Sequence, residues 1–78
     1  MRLEQKQKQL ETALMNHKTL KIDLGDDQKL ILKWDDEISN YRGYSEKLDV
    51  EIGIWDLTYL IQIANGRFKK YSLEIAYE

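Results

Sequence analysis

The chain has 78 residues, no cysteine and a formal net charge of −2. That length supports one hydrophobic core and hence a single domain over 1–78, and the missing thiols exclude disulfides, thiolate metal sites and cysteine catalysis. The longest uninterrupted apolar runs, such as Leu30-Ile31-Leu32, are three residues, too short for a membrane span or a signal-peptide core. A secreted domain this small usually needs disulfide staples, so the expectation is a cytoplasmic protein with no membrane contact.

The mild net charge hides a segregation. Between Asp23 and Asp56 there are ten acidic residues, opposed only by Lys29, Lys33, Arg42 and Lys47. Residues 1–18 carry Arg2, Lys6, Lys8 and Lys18 against Glu4 and Glu11. An acidic middle suits a protein that meets basic surfaces better than one that coats phosphates.

Residues 2–16 read as a helix, rich in Glu, Gln, Lys and Leu, which lose little side-chain freedom in that conformation. Its apolar stripe is thin: Leu3, Leu10, Ala13 and Leu14. The early turns have little to bury, so they either fray or dock on a partner, a second copy of the chain included.

The period then changes. Leu20, Ile22 and Leu24 alternate with Lys21 and Asp23, Gly25-Asp26-Asp27-Gln28 has turn chemistry, and Leu30, Leu32 and Trp34 alternate on a return strand. Asp35 to Glu46 reads as a polar connector. A third strand is expected with Leu48, Val50, Ile52 and Ile54 inward and Asp49 and Glu51 outward.

From residue 55 onward two readings compete. Asp56 is a good N-cap, and Leu57, Leu60, Ile61, Ile63 and Ala64 share one side of a helix that Gly66 would end. Asn65-Gly66 between apolar residues is also a strong hairpin signal. Leu60 is misplaced on a strand and well placed on a helix, which favours the helix. A final strand alternates Tyr71, Leu73, Ile75 and Tyr77 with smaller or polar residues.

The expected fold is therefore α+β in the order α-β-β-β-α-β, an antiparallel three- to four-stranded meander with helices on one face. The alternative, a β-hairpin over 57–77, would give a helix followed by five strands.

No residue pattern points to catalysis. His17, the only histidine, falls at a helix end, where a cation complements the dipole, and no nucleophile accompanies it. Asp35-Asp36-Glu37 reads as a solvated turn rather than a metal site, and no phosphate-cradling glycine loop opens a helix. The expectation is a non-enzyme without cofactor or metal.

Tyr41, Arg42 and Tyr44 are the residue types that dominate binding hot spots, and they sit beside Asp35, Asp36 and Glu37. These six residues are the expected partner-binding site, an exposed loop that docks on another protein with the acids steering a basic partner. The expected function is a small protein-binding module, an adaptor or inhibitor of the phage or mobile-element type. The runner-up is a nucleic-acid-binding module, because helix, three strands and helix is also the element order that the double-stranded-RNA-binding domain shows. Asp56 stands where that domain carries basic residues, which speaks against it.

Overall fold

The computed structural model describes residues 3–76, with the side chains of residues 3 and 4 excepted. Expectations for Arg2, Tyr77 and the Leu3 side chain lie outside the described residues. The element order is α1 (Leu3–Met15), β1 (Leu20–Gly25), β2 (Gln28–Asp35), β3 (Asn40–Ser45), β4 (Glu51–Trp55), α2 (Leu57–Ala64) and β5 (Ser72–Ile75). All neighbouring strands are antiparallel, in the spatial order β4-β3-β2-β1-β5. The α+β class and the order helix, meander, helix, strand stand as expected. Four strands lie between the helices where the order α-β-β-β-α-β has three, β5 brings the sheet to five against the three to four expected, and residues 57–64 are helical, not half of a hairpin.

Both helices end in the same way. After α1, the His17 N–H donates to the Leu14 carbonyl and the Lys18 N–H to the Ala13 carbonyl, with His17 at φ 57. After α2, Gly66 donates to Ile63 and Arg67 to Gln62, with Gly66 at φ 81. This is the Schellman pattern, in which a left-handed residue lets two orphan carbonyls find donors. At the other end of α2, the Asp56 side chain accepts from the Thr58 N–H at 2.9 Å, so the expected N-cap is in place.

The first hairpin closes through Asp26 and Asp27, both at positive φ (52 and 61). Their mirror-image turn matches the strand twist and fixes the register Leu20↔Leu32 and Ile22↔Leu30. The Gly25 N–H donates to the Asp23 carboxylate at 2.8 Å beside it.

The helices cover one face of the sheet. Leu10, Ala13 and Leu14 from α1 and Leu60, Ile63 and Ala64 from α2 close over Leu20, Ile22, Leu30, Leu32, Tyr41 and Leu73. Each fully buried large side chain contributes about 1.5–3 kcal/mol relative to exposure, so this cluster is what holds the chain together.

Two expectations are corrected. The polar connector of 35–46 contains β3, a strand paired on both sides and not a loop. Its inward positions are Tyr41 and Gly43, so its alternation is written in an aromatic and a glycine instead of aliphatic residues. Val50, Ile52 and Ile54 were expected on the buried face, yet all three are exposed. Val50 lies before the strand. The register of β3 on β4 shifts between Tyr44↔Glu51 and Gly43↔Gly53, which leaves Ile52 as the extra residue of a bulge. Past the bulge Gly53 and Trp55 face the helices, and Ile54 pairs with Arg42 on the opposite face.

The inner face accepts Trp55 because Gly43, paired with Gly53 two positions before that tryptophan, carries no side chain. A Cβ on Gly43 would stand 2.7 Å from Nε1 and 2.8 Å from Cδ1 of the Trp55 ring. The ring occupies the space that a side chain on Gly43 would need, which is the close approach that glycine in a strand often marks.

Candidate protein-binding surface

The six residues expected to form one exposed loop are distributed over both sides of the sheet. Tyr41 is fully buried on the helix side, and its hydroxyl donates to the Lys18 carbonyl at 2.9 Å. Its burial pushes the phenol up to about 12. The expectation of an exposed Tyr41 is therefore corrected: its alternation with Arg42 and Tyr44 along a paired strand turns it inward. Its ring meets Trp34 edge-on at 5.4 Å, and Trp34 stacks on His17 at 3.6 Å.

Asp36, in turn 36–39, accepts a hydrogen bond from Trp34 Nε1 at 2.7 Å, which holds the indole at the rim of the core. Glu37 is exposed, and its backbone N–H donates to the Asp35 carboxylate at 2.9 Å. These acids shape the turn as well as charging it.

Arg42, Tyr44 and Asp35 do come together, on the face of the sheet that no described helix covers. The Arg42 guanidinium donates through Nε to Asp35, at one end of β2, and through Nη1 to Glu51 of β4 at 3.1 Å. The hydrogen bond from Arg42 holds the Asp35 carboxyl below its ordinary range, with the Glu37 N–H adding to the effect. Beside them, Lys33 Nζ lies 5.6 Å above the centre of the Tyr44 ring. Arg42 is thus a cross-strand clamp spanning three strands, with its charge already met by two carboxylates. Lys21 of β1 pairs with Glu46 at 2.9 Å on the same side.

The sheet's edge at β4 supplies what sequence reasoning assigned to the core. Leu48, Val50, Ile52 and Ile54 are 69%, 49%, 52% and 56% exposed. Among the described residues β4 pairs with β3 on one side only, so the other side of the strand is a free sheet edge. Leu48 and Ile52 also line an open groove of about 740 Å³ with Leu24 and Leu30, at the end of the sheet where the β1–β2 and β3–β4 turns lie. The sequence did hold a signal for this: Gly53 lies inside the aliphatic alternation, and glycine within a strand pattern often marks a bulge.

Among the described residues no group of three or more His, Cys, Asp or Glu side chains is arranged to hold a metal ion. No described helix is long and apolar enough to cross a membrane. Four strands, not three, separate α1 from α2, so the element order of the double-stranded-RNA-binding domain does not hold.

Comparison with family models, with curated proteins and with solved structures returns no match to this chain.

Proposed function

We propose that this protein is a binding module that docks on another protein, as an adaptor or inhibitor working in the cytoplasm, through the β4 edge and the adjoining open face of the sheet. The observation that carries this reading is the row of exposed aliphatic side chains at Leu48, Val50, Ile52 and Ile54. These side chains are already about half covered, so burying the rest of each contributes about 1 kcal/mol, and exposed apolar side chains gathered at a sheet edge mark interaction sites. Arg42, Tyr44 and Asp35 adjoin the row through the pairing of Arg42 with Ile54, so half of the site expected from sequence remains part of the surface.

A homodimer through α1 has thinner support: Gln5, Lys6, Lys8 and Gln9 are exposed and polar, and among the described side chains of the helix Met15 is the large apolar one left open. A second reading, contact with nucleic acid, has one observation in its favour. A groove of about 580 Å³ between α1 and β5 is lined by Lys8 and Lys18, with no acid among the described residues of its walls.

Affinity capture from the native host, after nuclease treatment, separates these readings when the bait is compared with the Ile52→Thr/Ile54→Thr variant. The substitutions keep β-branched residues in the strand and remove apolar contact. A protein retained by the parent and lost by the variant supports docking at β4. Capture indifferent to the variant overturns it, and capture that disappears with nuclease supports the second reading.

A further inference from the structure

The charges around the free edge of β4 say what kind of chain fits there. Asp49 precedes the strand, Glu51 opens it and Asp56 follows it, and all three are exposed. The nearest cation on the neighbouring strand, Arg42, is already held by Asp35 and Glu51. Asp36 and Glu37 add to the acidic side at the Trp55 end, because Asp35 pairs with Asn40 and Trp34 with Tyr41, which pairs with Trp55.

This pattern disfavours a second copy as the occupant. Two β4 strands laid antiparallel about Gly53 would set Asp56 of one copy opposite Val50 of the other, flanked by Asp49 and Glu51. Like charges that close across a sheet are destabilising. A strand bearing the opposite charge meets the same edge favourably.

We propose that the free edge of β4 accepts an extended segment of a different protein as the sixth strand of the sheet, and that this segment combines aliphatic residues with lysine or arginine. This inference rests on the protein-binding reading above and specifies the partner for the same edge. Main-chain hydrogen bonds to an open edge supply affinity that any extended chain can use, and alternate side chains supply the selection. Ile52 and Ile54 meet the aliphatic positions, while Asp49 and Asp56, exposed at the two ends of the strand, meet the basic ones; Glu51 is engaged by Arg42. Gly53 assists the approach: a Cβ built there would find nothing within 4 Å, so the backbone between the two isoleucines is open to an incoming side chain.

The test titrates three synthetic probes into the full ¹⁵N-labelled chain: an octapeptide alternating valine with lysine, its counterpart with glutamate for lysine, and the lysine peptide N-methylated on alternate backbone nitrogens. The lysine peptide should shift the amides of Glu51 to Trp55 and bind about tenfold tighter than the glutamate peptide, a preference that fades as salt rises. N-methylation should abolish binding. Asp49→Asn with Asp56→Asn keeps residues that tolerate the left-handed turn and the helix cap, and should remove most of the preference. Equal binding of both charges, unchanged binding after N-methylation, or shifts confined to other strands overturns the proposal. So does sedimentation showing a dimer that Ile52→Thr/Ile54→Thr dissolves, since the occupant is then a second copy. These failures are distinct from that of the protein-binding reading, which falls if host-protein capture is indifferent to Ile52 and Ile54.

Discussion

The Tyr41 hydroxyl donates to the Lys18 carbonyl at 2.9 Å, which ties the inner face of β3 to the chain just beyond α1. The two residues are 23 positions apart, and the bond is partly buried. Tyr41→Phe should leave the carbonyl without this donor and cost about 1–2 kcal/mol, measured by denaturant unfolding. Tyr41→Ala should cost about 3–5 kcal/mol, a large share of what so small a domain has. Since burial raises the folded phenol to about 12, Tyr41 contributes stability fully below its ordinary value of 10.0 and loses it as pH rises toward 12. The phenylalanine variant should show a shallower alkaline loss than the parent. Identical alkaline limbs would mean that Tyr41 ionises as freely in the fold as in the unfolded chain.

Leu32 and Ile52 are both aliphatic strand residues, yet they should respond oppositely to truncation. Leu32 is fully buried, and Leu32→Ala should cost about 2–4 kcal/mol. Ile52 is half-exposed in the bulge of an edge strand, so Ile52→Ala should stay within about 0.5 kcal/mol of the parent. Equal losses at the two positions would place Ile52 in the core and undo the β4 surface.

Gly43 and Trp55 should behave as a coupled pair. Gly43→Ala forces a methyl into the Trp55 ring and should cost about 1–3 kcal/mol, with tryptophan fluorescence reporting a displaced indole. Trp55→Leu loses packing by itself but makes room. The double variant should therefore be more stable than the sum of the two losses predicts, by roughly 0.5–3 kcal/mol. Strict additivity would show that the ring yields without strain.

His17 occupies the left-handed position at the end of α1 and stacks on Trp34 with the rings 4° from parallel. A left-handed conformation costs a residue with a Cβ about 1–2 kcal/mol, and an aromatic stack returns about 0.5–1.5 kcal/mol. His17→Ala keeps the strain and loses the stack, so it should destabilise. His17→Gly loses both and should end close to the parent. Coincident thermal melts of the two variants would remove the strain from this account.

The sequence by itself determined the elements whose period and punctuation are local. The β1–β2 hairpin was legible from alternating leucines and isoleucines around Gly25-Asp26-Asp27-Gln28. The helix α2 was legible from Asp56, Gly66 and the placement of Leu60. In these stretches the residues that set the conformation lie within a few positions of one another. Tertiary structure alone decided the rest. Tyr41, Arg42 and Tyr44 look like a polar recognition loop until β2 and β4 pair with their strand from both sides, which sends Tyr41 into the core and Arg42 and Tyr44 to the open face. Ile52 and Ile54 look like core residues until the bulge shifts their register and Trp55, lying against Gly43, takes the inner position. A shift of one residue exchanges the two faces of a strand, and only the partner strand and the packing above it determine where that shift occurs.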